Sequence, residues 1–249
     1  DPAGNLTAIV LSPVAAQDRA KIAAEMMARC PEGFEQVGFA DETSLTGDLP
    51  TLCMMGGEFC GNATRAFACY AAKVRGRGET RLAISVSGAR EPVPVAVDLR
   101  QNRAYAQMPL PYALEWISVN KQKIPLVRME GIDHALLLDA APSPEAAERV
   151  LAAMPKQDAR GVLFVQGGKM TPLVEVAATG TRVWESSCGS GTVALAWYLA
   201  QNLADGMHAF AFDEPGGRLE ARVAMRAGRA AQIEMGGAVK LGKEAEIEL

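Results

Sequence analysis

The stretch Phe59-Cys60-Gly61-Asn62-Ala63-Thr64-Arg65-Ala66-Phe67-Ala68-Cys69-Tyr70 returns in altered form as Ser187-Cys188-Gly189-Ser190-Gly191-Thr192-Val193-Ala194-Leu195-Ala196-Trp197-Tyr198. Cys, Gly, Thr, two Ala and Tyr keep their order at a constant spacing of 128 residues, from Cys60 to Cys188. Both copies are rich in the small and apolar residues that allow a helix to pack tightly. The duplication therefore predicts two homologous parts of the chain, each with a helix that starts at a cysteine.

The repeat extends beyond the two helices. Gly88 follows Cys60 by 28 residues, and Gly216 follows Cys188 by the same 28 residues. Strand-like runs come after both glycines, and an apolar run followed by a helical run comes before both cysteines. A period of about half the chain is too long for a solenoid repeat. We therefore expect an α+β fold of two pseudo-symmetric lobes, residues 1–115 with Cys60 and residues 116–249 with Cys188, each a β-wrap or barrel around a central helix.

The pattern of apolar residues predicts secondary structure along both lobes. In the first lobe the predicted strands are residues 8–11, 36–40, 52–55, 81–86, 93–99 and 104–108. In the second lobe they are residues 135–139, 162–166, 173–177, 208–212, 219–225 and 231–235. The predicted helices are residues 15–29, 61–75, 144–154 and 189–203. Residues 109–123 contain two prolines and no clear period, so this segment is predicted to connect the lobes.

The composition limits the kind of protein. With 249 residues, 49% of them hydrophobic, the chain can bury one or two cores. The net charge is −4 and no basic block is present, so nothing points to nucleic acid as a partner. No apolar run approaches the roughly 18 residues of a membrane-spanning helix, and no signal peptide is visible. Five cysteines without a disulfide framework indicate a reducing compartment, so we expect a cytoplasmic protein.

A cysteine at the start of a helix has a chemical use. The N–H groups and the macrodipole at that end favour a thiolate, and they also bind anions such as a substrate carboxylate. A pair of such thiols can remove a proton from one face of a carbon and return one to the other face. Cys60 and Cys188 are therefore predicted as catalytic acid/bases, whereas Cys30, Cys53 and Cys69 are predicted as small buried apolar residues.

Two motifs carry a resemblance to a known superfamily. Cys-Gly-Asn-Ala-Thr-Arg at 60–65 and Ser-Cys-Gly-Ser-Gly-Thr at 187–192 resemble the active-site motifs of the diaminopimelate epimerase superfamily. Gly4-Asn5, Met108-Pro109 and Gly131-x-x-His134 match further landmarks, so the resemblance covers essentially the whole chain. It implies a twin-lobed fold and racemisation by two cysteines. It also implies that pyridoxal phosphate is not needed, and because the sequence shows no metal-ligand spacing and no dinucleotide fingerprint, we expect no metal or nicotinamide cofactor either.

Within this superfamily the chain is most similar to the histidine racemases of the staphylopine-type metallophore pathway. The shared runs are Gly-Asn-x-Thr at 4–7, Glu-Gln-Val-Gly-Phe at 35–39, Glu-Phe-Cys-Gly-Asn-Ala-Thr at 58–64, Val-Ser-Gly at 86–88, Trp-Glu-x-Ser-Cys-Gly-Ser-Gly-Thr at 184–192 and Pro-Gly-Gly at 215–217. This similarity implies that the substrate is histidine. Diaminopimelate is the second candidate, although the asparagines expected to hold its distal end are replaced at Ile132 and near Gly161.

Other residues are predicted to contact the substrate. The backbone amides of the two helix starts are expected to hold the carboxylate, and the resemblance adds polar side chains around them. The predicted substrate-binding residues are Asn5, Gln36, Gly61, Asn62, Glu185, Gly189 and Ser190. Glu58, two residues before Cys60, is a further candidate to bind the ammonium group or to tune the thiol. His134 is predicted as structural, and with one other histidine in the chain no zinc site is expected.

Three classes of function are compatible with the sequence. The first is a two-thiol racemase or epimerase that acts on a small amino acid. The second is an isomerase of the same fold that shifts a proton within an unsaturated acid, and the third is a non-catalytic small-molecule binding module. Retention of both cysteines with their glycines favours the first class. We expect no nucleic-acid or membrane partner, and we allow for a homodimer.

Overall fold

The chain folds into two compact units. The structure is a computed structural model that describes residues 1–29, 33–40, 42–177 and 180–248, so the expectation for Cys30 lies outside the described residues. The first unit consists of Asp1–Gln107 and Gly236–Leu249, and the second unit consists of Met108–Met235. These limits differ from the expected lobes of 1–115 and 116–249, because the C-terminal residues belong to the first unit and not to the second.

The first unit is built on strands in the order β1-β2-β3-β4-β5-β6. The strands are β1 (Thr7–Val10), β2 (Gln36–Ala40), β3 (Thr51–Met54), β4 (Glu79–Val86), β5 (Val93–Asp98) and β6 (Arg103–Gln107). The helices are α1 (Arg19–Arg29), α2 (Glu42–Thr46) and α3 (Gly61–Val74), and a 3-10 turn at Ala16–Asp18 precedes α1.

The second unit has a larger set of strands. They are β7 (Ala113–Val119), β8 (Gln122–Arg128), β9 (Ile132–Leu138), β10 (Ala159–Gln166), β11 (Lys169–Val176), β12 (Thr181–Trp184), β13 (Gly206–Glu214), β14 (Gly217–Arg226) and β15 (Arg229–Ala238). Their order is β15-β14-β13-β11-β10-β9-β8-β7, with β12 paired to β11. The helices are α4 (Pro144–Ala153) and α5 (Gly189–Ala200), and the end of β15 from Gly236 belongs to the first unit.

Strand pairing repeats between the two units. In the first unit β1 and β2 are parallel, β2 and β3 antiparallel, β3 and β4 parallel, and β4 and β5 antiparallel. In the second unit the same sequence of parallel and antiparallel pairs joins β9, β10, β11, β13 and β14. The internal duplication and the α+β class predicted from the sequence are therefore confirmed, as are all twelve predicted strands and the four predicted helices, with ends shifted by a few residues.

A buried helix lies at the centre of each unit. Helix α3 packs against β1, β4, β5 and β6, and helix α5 packs against β9, β13 and β14. Alanines on α3, including Ala63, Ala68 and Ala71, have no exposed surface, so strands can approach the helix backbone closely. Helix α5 is rich in apolar residues and is buried along most of its length, from Gly191 to Ala196 and at Ala200. No helix in the described part of the chain has the length and apolarity that crossing a bilayer requires.

The predicted connection between the lobes is wrong, because residues 109–123 contain a strand. Strand β7 forms a hairpin with β8, in which Trp116 pairs with Pro125. The side chains of β7 are mostly exposed or half-buried, so the strand lacks the apolar alternation that the sequence pattern requires. Strand β8 was not predicted either, because it contains Pro125 and proline is rare inside strands. Pro125 lies one residue before the first pair of β8 with β9, so it removes no hydrogen bond from the β8–β9 ladder. Strand β12 and the short helix α2 were also not predicted.

The contribution of the α5 core can be measured with two leucines one helical turn apart. Leu195 is fully buried, whereas Leu199 is 42% exposed. Replacing Leu195 with Ala leaves a cavity and should lower the free energy of unfolding by about 2–5 kcal/mol. Leu199→Ala is the matched control and should change it by less than about 1 kcal/mol. Urea unfolding monitored by tryptophan fluorescence measures both, and equal losses in the two variants would contradict the assignment of α5 as a core helix.

Candidate active site

Cys60 lies at the boundary between an extended segment and helix α3. Its backbone is extended, with φ −125° and ψ 111°, and it is the N-cap residue of the helix. The Cys60 carbonyl accepts hydrogen bonds from the Thr64 N–H at 2.9 Å and from the Thr64 hydroxyl at 2.7 Å. These bonds close the first turn of α3 and fix the direction of the cysteine side chain, which is half-buried.

Hydrogen-bond donors converge on the Cys60 sulfur. The Ala63 N–H donates to Sγ at 3.4 Å, and the Asn62 N–H and the Gln36 side chain also stabilise the thiolate. Burial nevertheless raises the pKa of the Cys60 thiol above its usual value, and the nearby Glu58 carboxylate adds to the rise. The expectation that the helix start lowers the thiol pKa is therefore wrong for the net shift, because loss of hydration outweighs the donors.

Two predicted substrate residues form a network that ends at Cys60. Gln36 Nε2 donates to Asn5 Oδ1 at 2.6 Å and to Thr7 Oγ1 at 2.8 Å. Asn5 Nδ2 in turn donates to Glu35 Oε2 at 2.5 Å. The parallel pairing of β1 with β2 places Thr7 opposite Gln36 and so brings this network together. The geometry holds Gln36 in one orientation beside the thiol.

Asn62 has a structural partner inside the unit. The Arg65 guanidinium, fully buried, donates to Asn62 Oδ1 at 2.9 Å and also to the carbonyls of Ala104 and Gly237 at 3.3 Å each. This arginine therefore ties the first turn of α3 to β6 and to the end of β15. The role of Asn62 as a substrate contact stays a prediction.

The glycines that follow each cysteine by 28 residues hold the segment that leads into it. Gly88 has φ +73°, and an added Cβ there would overlap the backbone of Phe59. The preceding Ser87 hydroxyl donates to the Glu58 carbonyl at 2.9 Å. In the second unit the Gly216 N–H donates to the Ser186 carbonyl at 2.7 Å. Glu58 and Ser186 each lie two residues before a cysteine, so the repeated spacing has the same structural role in both copies.

Cys188 occupies the corresponding position at the start of α5. It is the N-cap residue, with φ −121° and ψ 105°, and is 4% exposed. Its carbonyl accepts the Thr192 N–H at 2.9 Å, as the Cys60 carbonyl does from Thr64. Its own N–H donates to Glu214 Oε2 at 2.6 Å, a contact that the sequence did not predict. The only hint of Glu214 in the sequence is its place directly before the Pro-Gly-Gly motif.

The surroundings of Cys188 favour the neutral thiol. Burial raises its pKa well above the usual value, and the carboxylates of Glu185 and Glu214 raise it further. The Glu185 carboxylate is also hydrogen-bonded to the thiol. The Ser190 hydroxyl lies 3.5 Å from Sγ and acts in the opposite direction. Gly191 leaves room for the sulfur, because an added Cβ would lie 3.3 Å from Sγ and 2.9 Å from Leu163 Cδ2.

His134 stands behind Ser190. It lies on β9 and is fully buried, and its Nε2 shares a hydrogen bond of 2.9 Å with Ser190 Oγ. Its register partner on β10 is Gly161, and an added Cβ at Gly161 would overlap the imidazole ring. Burial lowers the pKa of His134 to about 3, so the ring is neutral at physiological pH. His134, predicted as structural, therefore orients the hydroxyl of a predicted substrate residue.

Cys53 and Cys69, the other cysteines in the described part of the chain, lie in different environments. Cys69 is buried in the core around α3, and burial raises its pKa to about 11. Cys53 is half-buried on β3. Within the described ranges no group of three or more His, Cys, Asp and Glu side chains is arranged to hold a metal ion.

Comparison with known proteins identifies the family. A family model described as the N-terminal domain of the histidine racemase CntK matches residues 1–247. The histidine racemase of Fusobacterium nucleatum subsp. nucleatum is 32% identical over 214 residues, which cover 80% of this chain and 78% of that protein. The chain belongs to the histidine racemase family. A histidine racemase of Staphylococcus aureus is 26% identical over 232 residues, which cover 88% of this chain and 85% of that protein.

As a member of the histidine racemase family, the protein is an amino-acid racemase, that is, an isomerase. Similar solved structures include a PhzF-family phenazine biosynthesis protein from Enterococcus faecalis, with TM-score 0.65, 16% identity and coverage of 98% of this chain and 92% of that chain. A probable proline racemase from Agrobacterium radiobacter K84 has TM-score 0.62, 14% identity and coverage of 98% and 91%. At these identities the likeness shows the fold, and it confirms the predicted diaminopimelate epimerase-like class.

The neutrality of His134 makes a pH prediction. Its folded-state pKa of about 3 lies below the ordinary 6.5, so the unfolded chain takes up the proton first as the pH falls. The stability associated with His134 is complete above about pH 6.5 and is lost progressively below it. In imidazole NMR spectra the His134 resonances should not titrate between about pH 5 and 8, and a His134→Asn variant assigns them among the two histidines of the chain. A His134 midpoint near its ordinary value would contradict the buried, neutral ring.

Proposed function

We propose that this protein interconverts L- and D-histidine by a two-base mechanism in which Cys60 and Cys188 are the catalytic acid/bases. The observation that carries the proposal is the pair of cysteines at equivalent N-cap positions of duplicated, buried helices. Membership in the histidine racemase family supports the choice of reaction. The proposed substrate is the one named for the relatives.

Racemisation at Cα needs one group that takes a proton and another that gives one. In one direction a thiolate removes the Cα proton, and the C–H electron pair passes into the carboxylate as an enolate-like state. The other cysteine, as a thiol, then donates its S–H proton to the opposite face of Cα. The two sulfurs exchange protonation states in each turnover, so the return direction uses the same groups in reversed roles. Both sulfurs must therefore reach the same carbon atom.

The carboxylate of the substrate is proposed to lie at the helix starts, near Gly61, Asn62, Gly189 and Ser190. Donors at these positions stabilise the extra negative charge that develops during proton removal. Asn5 and Gln36 are proposed to bind the substrate from the first unit, and Glu185 from the second. Gln36 contacts the Cys60 thiol and Glu185 contacts the Cys188 thiol, so each is in reach of a substrate that lies against the sulfurs.

Histidine is favoured over diaminopimelate by the distal part of the proposed pocket. The asparagines expected to hold the distal end of diaminopimelate are replaced at Ile132 and near Gly161. The distal end of diaminopimelate is charged, and a buried carboxylate without a partner costs several kcal/mol. A neutral imidazole makes no such demand. The expected absence of a cofactor, the homodimer and the cytoplasmic location stay predictions.

Removal of either thiol should abolish racemisation. Cys60→Ala and Cys188→Ala each lose a proton-transfer group, so both variants should retain less than about 1% of the wild-type rate. Polarimetry with L-histidine measures the loss. Cys53→Ala is the matched control, since Cys53 is a half-buried cysteine outside the site, and it should remain active. Retention of more than a few per cent of the wild-type activity by either variant would refute the two-base assignment.

The substrate assignment is tested by competition between two amino acids. The proposal expects kcat/KM for L-histidine to exceed that for LL-diaminopimelate by at least about tenfold, which corresponds to about 1.4 kcal/mol in transition-state stabilisation. Both reactions are followed by chiral chromatography in the presence of EDTA, because the mechanism uses no metal. Turnover of diaminopimelate tenfold better than of histidine would show that the distal pocket has been misread, while leaving the two-thiol chemistry intact.

A further inference from the structure

A buried carboxylate is bound to the start of α5. Glu214, the last residue of β13, is 7% exposed. Its Oε2 accepts the Cys188 N–H and its Oε1 accepts the Thr192 hydroxyl, both at 2.6 Å. A carboxylate in such a place is costly unless its oxygens are bonded, and charge-assisted bonds of this length are among the stronger ones in proteins. The side chain therefore joins β13 to the first turn of the helix that begins at Cys188.

The first unit has no charge at the equivalent position. At the spacing of the duplication, the counterpart of Glu214 is Val86, which is likewise the last residue of its strand and is 5% exposed. The counterpart of Thr192 is Thr64, whose hydroxyl donates to the Cys60 carbonyl at 2.7 Å. Thr64 and Thr192 thus occupy equivalent positions, but their hydroxyls donate to different acceptors. A carboxylate at this strand position is hydrogen-bonded to the first turn of α5, whereas the equivalent position beside α3 is the apolar Val86.

The two sulfurs also differ in their own bonds. Cys60 Sγ accepts the Ala63 N–H and so acts as the cap of α3. Cys188 makes no side-chain capping bond to α5, and its main-chain N–H is bonded to Glu214 instead. Negative charge on Cys60 is therefore met by a backbone donor, whereas negative charge on Cys188 would face a carboxylate.

We propose that Glu214 is a positioning residue of the racemase, which fixes the Cys188 end of α5 and keeps Cys188 protonated more firmly than Cys60, so that Cys60 is the first of the two to lose its proton in the free enzyme. The proposal rests on the two-thiol function, and it assigns different resting states to two cysteines that the sequence presents as equivalent. It also implies that the free enzyme first removes a proton from the enantiomer whose Cα proton faces Cys60.

The groups that face Cys188 act mainly to keep its thiol protonated, with the Ser190 hydroxyl acting against them. Cys188 faces Glu185 from the segment after β12, Glu214 from β13 and the Ser190 hydroxyl from α5, while the neutral His134 on β9 acts through Ser190. Burial, then Glu185 and Glu214, raise the pKa of Cys188.

The groups that face Cys60 are mostly donors. They are the Ala63 and Asn62 N–H groups from α3 and the Gln36 side chain from β2, which partly offset the effect of burial on the pKa of Cys60, with Glu58 acting against them. One carboxylate therefore faces Cys60, where two face Cys188.

The test measures the proton on Cys188 directly. Glu214→Gln keeps the shape of the side chain and removes its charge, so the pH midpoint for alkylation of Cys188 by iodoacetamide should fall. Below the midpoint, each unit of decrease raises the alkylation rate at fixed pH about tenfold. Mass spectrometry quantifies the reaction on the tryptic peptide that spans residues 183–218, in which Cys188 is the one cysteine. A purely structural role for Glu214 would lower activity without moving this midpoint.

Asp213→Asn is the matched control. Asp213 is the neighbouring carboxylate, its side chain is 58% exposed, and it pairs with Arg218 at 3.4 Å. This change should leave the Cys188 midpoint where it is in the wild type. An unchanged midpoint in Glu214→Gln, or an equal decrease in both variants, would overturn the proposal.

A measurement on the wild type decides the matter if Glu214→Gln does not fold. The alkylation midpoint of Cys60 must lie below that of Cys188, and the reverse order would overturn the proposal. Alkylation does not depend on turnover, so its result is separate from the proposed function. Racemisation by Cys60→Ala or Cys188→Ala would refute the two-base function, whereas inactive cysteine variants with an unmoved Cys188 midpoint would refute only the role of Glu214.

Discussion

The carbonyl of a cysteine closes the first turn of each buried helix, and the geometry of both thiols depends on this bond. Thr64 and Thr192 donate their N–H groups to Cys60 and Cys188 at the same distance of 2.9 Å. The cysteine thereby takes an extended backbone at the end of one segment while its carbonyl belongs to the helix. Its side chain is held by the core around the helix and not by a mobile loop. Side chains on such rigid elements keep their direction, as the proposed proton transfers require.

Burial and the helix start have opposite effects on the pKa of the two thiols. A helix N-terminus favours a thiolate, yet loss of hydration raises the pKa of both cysteines. What distinguishes them is the next layer of contacts, with Gln36 as a donor near Cys60 and Glu185 and Glu214 as acceptors near Cys188. The proposed two-base mechanism needs one thiol and one thiolate at the same time, and unequal surroundings would favour that arrangement in two groups of identical type.

The features that could be predicted from the sequence are those that leave a repeated or periodic residue pattern. The duplicated Cys-Gly motifs and the matching 28-residue spacings indicated two related units, and the pairing of strands repeats accordingly. Strand β7 was missed because its exposed side chains carry no apolar alternation. The return of the C-terminal residues to the first unit was missed because nothing local in a sequence reports which strand it will join.

The site shows the same limit. Cys60, Gln36 and Asn5 were predicted as site residues because short motifs mark them, and the parallel pairing of β1 with β2 explains why they lie together. Glu214 lies 26 residues after Cys188, and no residue pattern reports that its carboxylate reaches the Cys188 N–H. Such a contact depends on how the end of β13 is placed against the start of α5, and this placement is set by the packing of the whole unit.

In the proposed mechanism two separate monoprotic groups move the Cα proton, and the isotope content of substrate and product in D₂O distinguishes this from exchange at a single base. A thiol that removes a proton from L-histidine cannot return deuterium to the same face before product forms, because the second thiol supplies the new hydrogen. In the first turnovers, mass spectrometry of the separated enantiomers should find deuterium in D-histidine and none in the remaining L-histidine. Deuterium entering the recovered L-histidine as fast as the D-histidine would indicate a single exchanging base and would contradict the account.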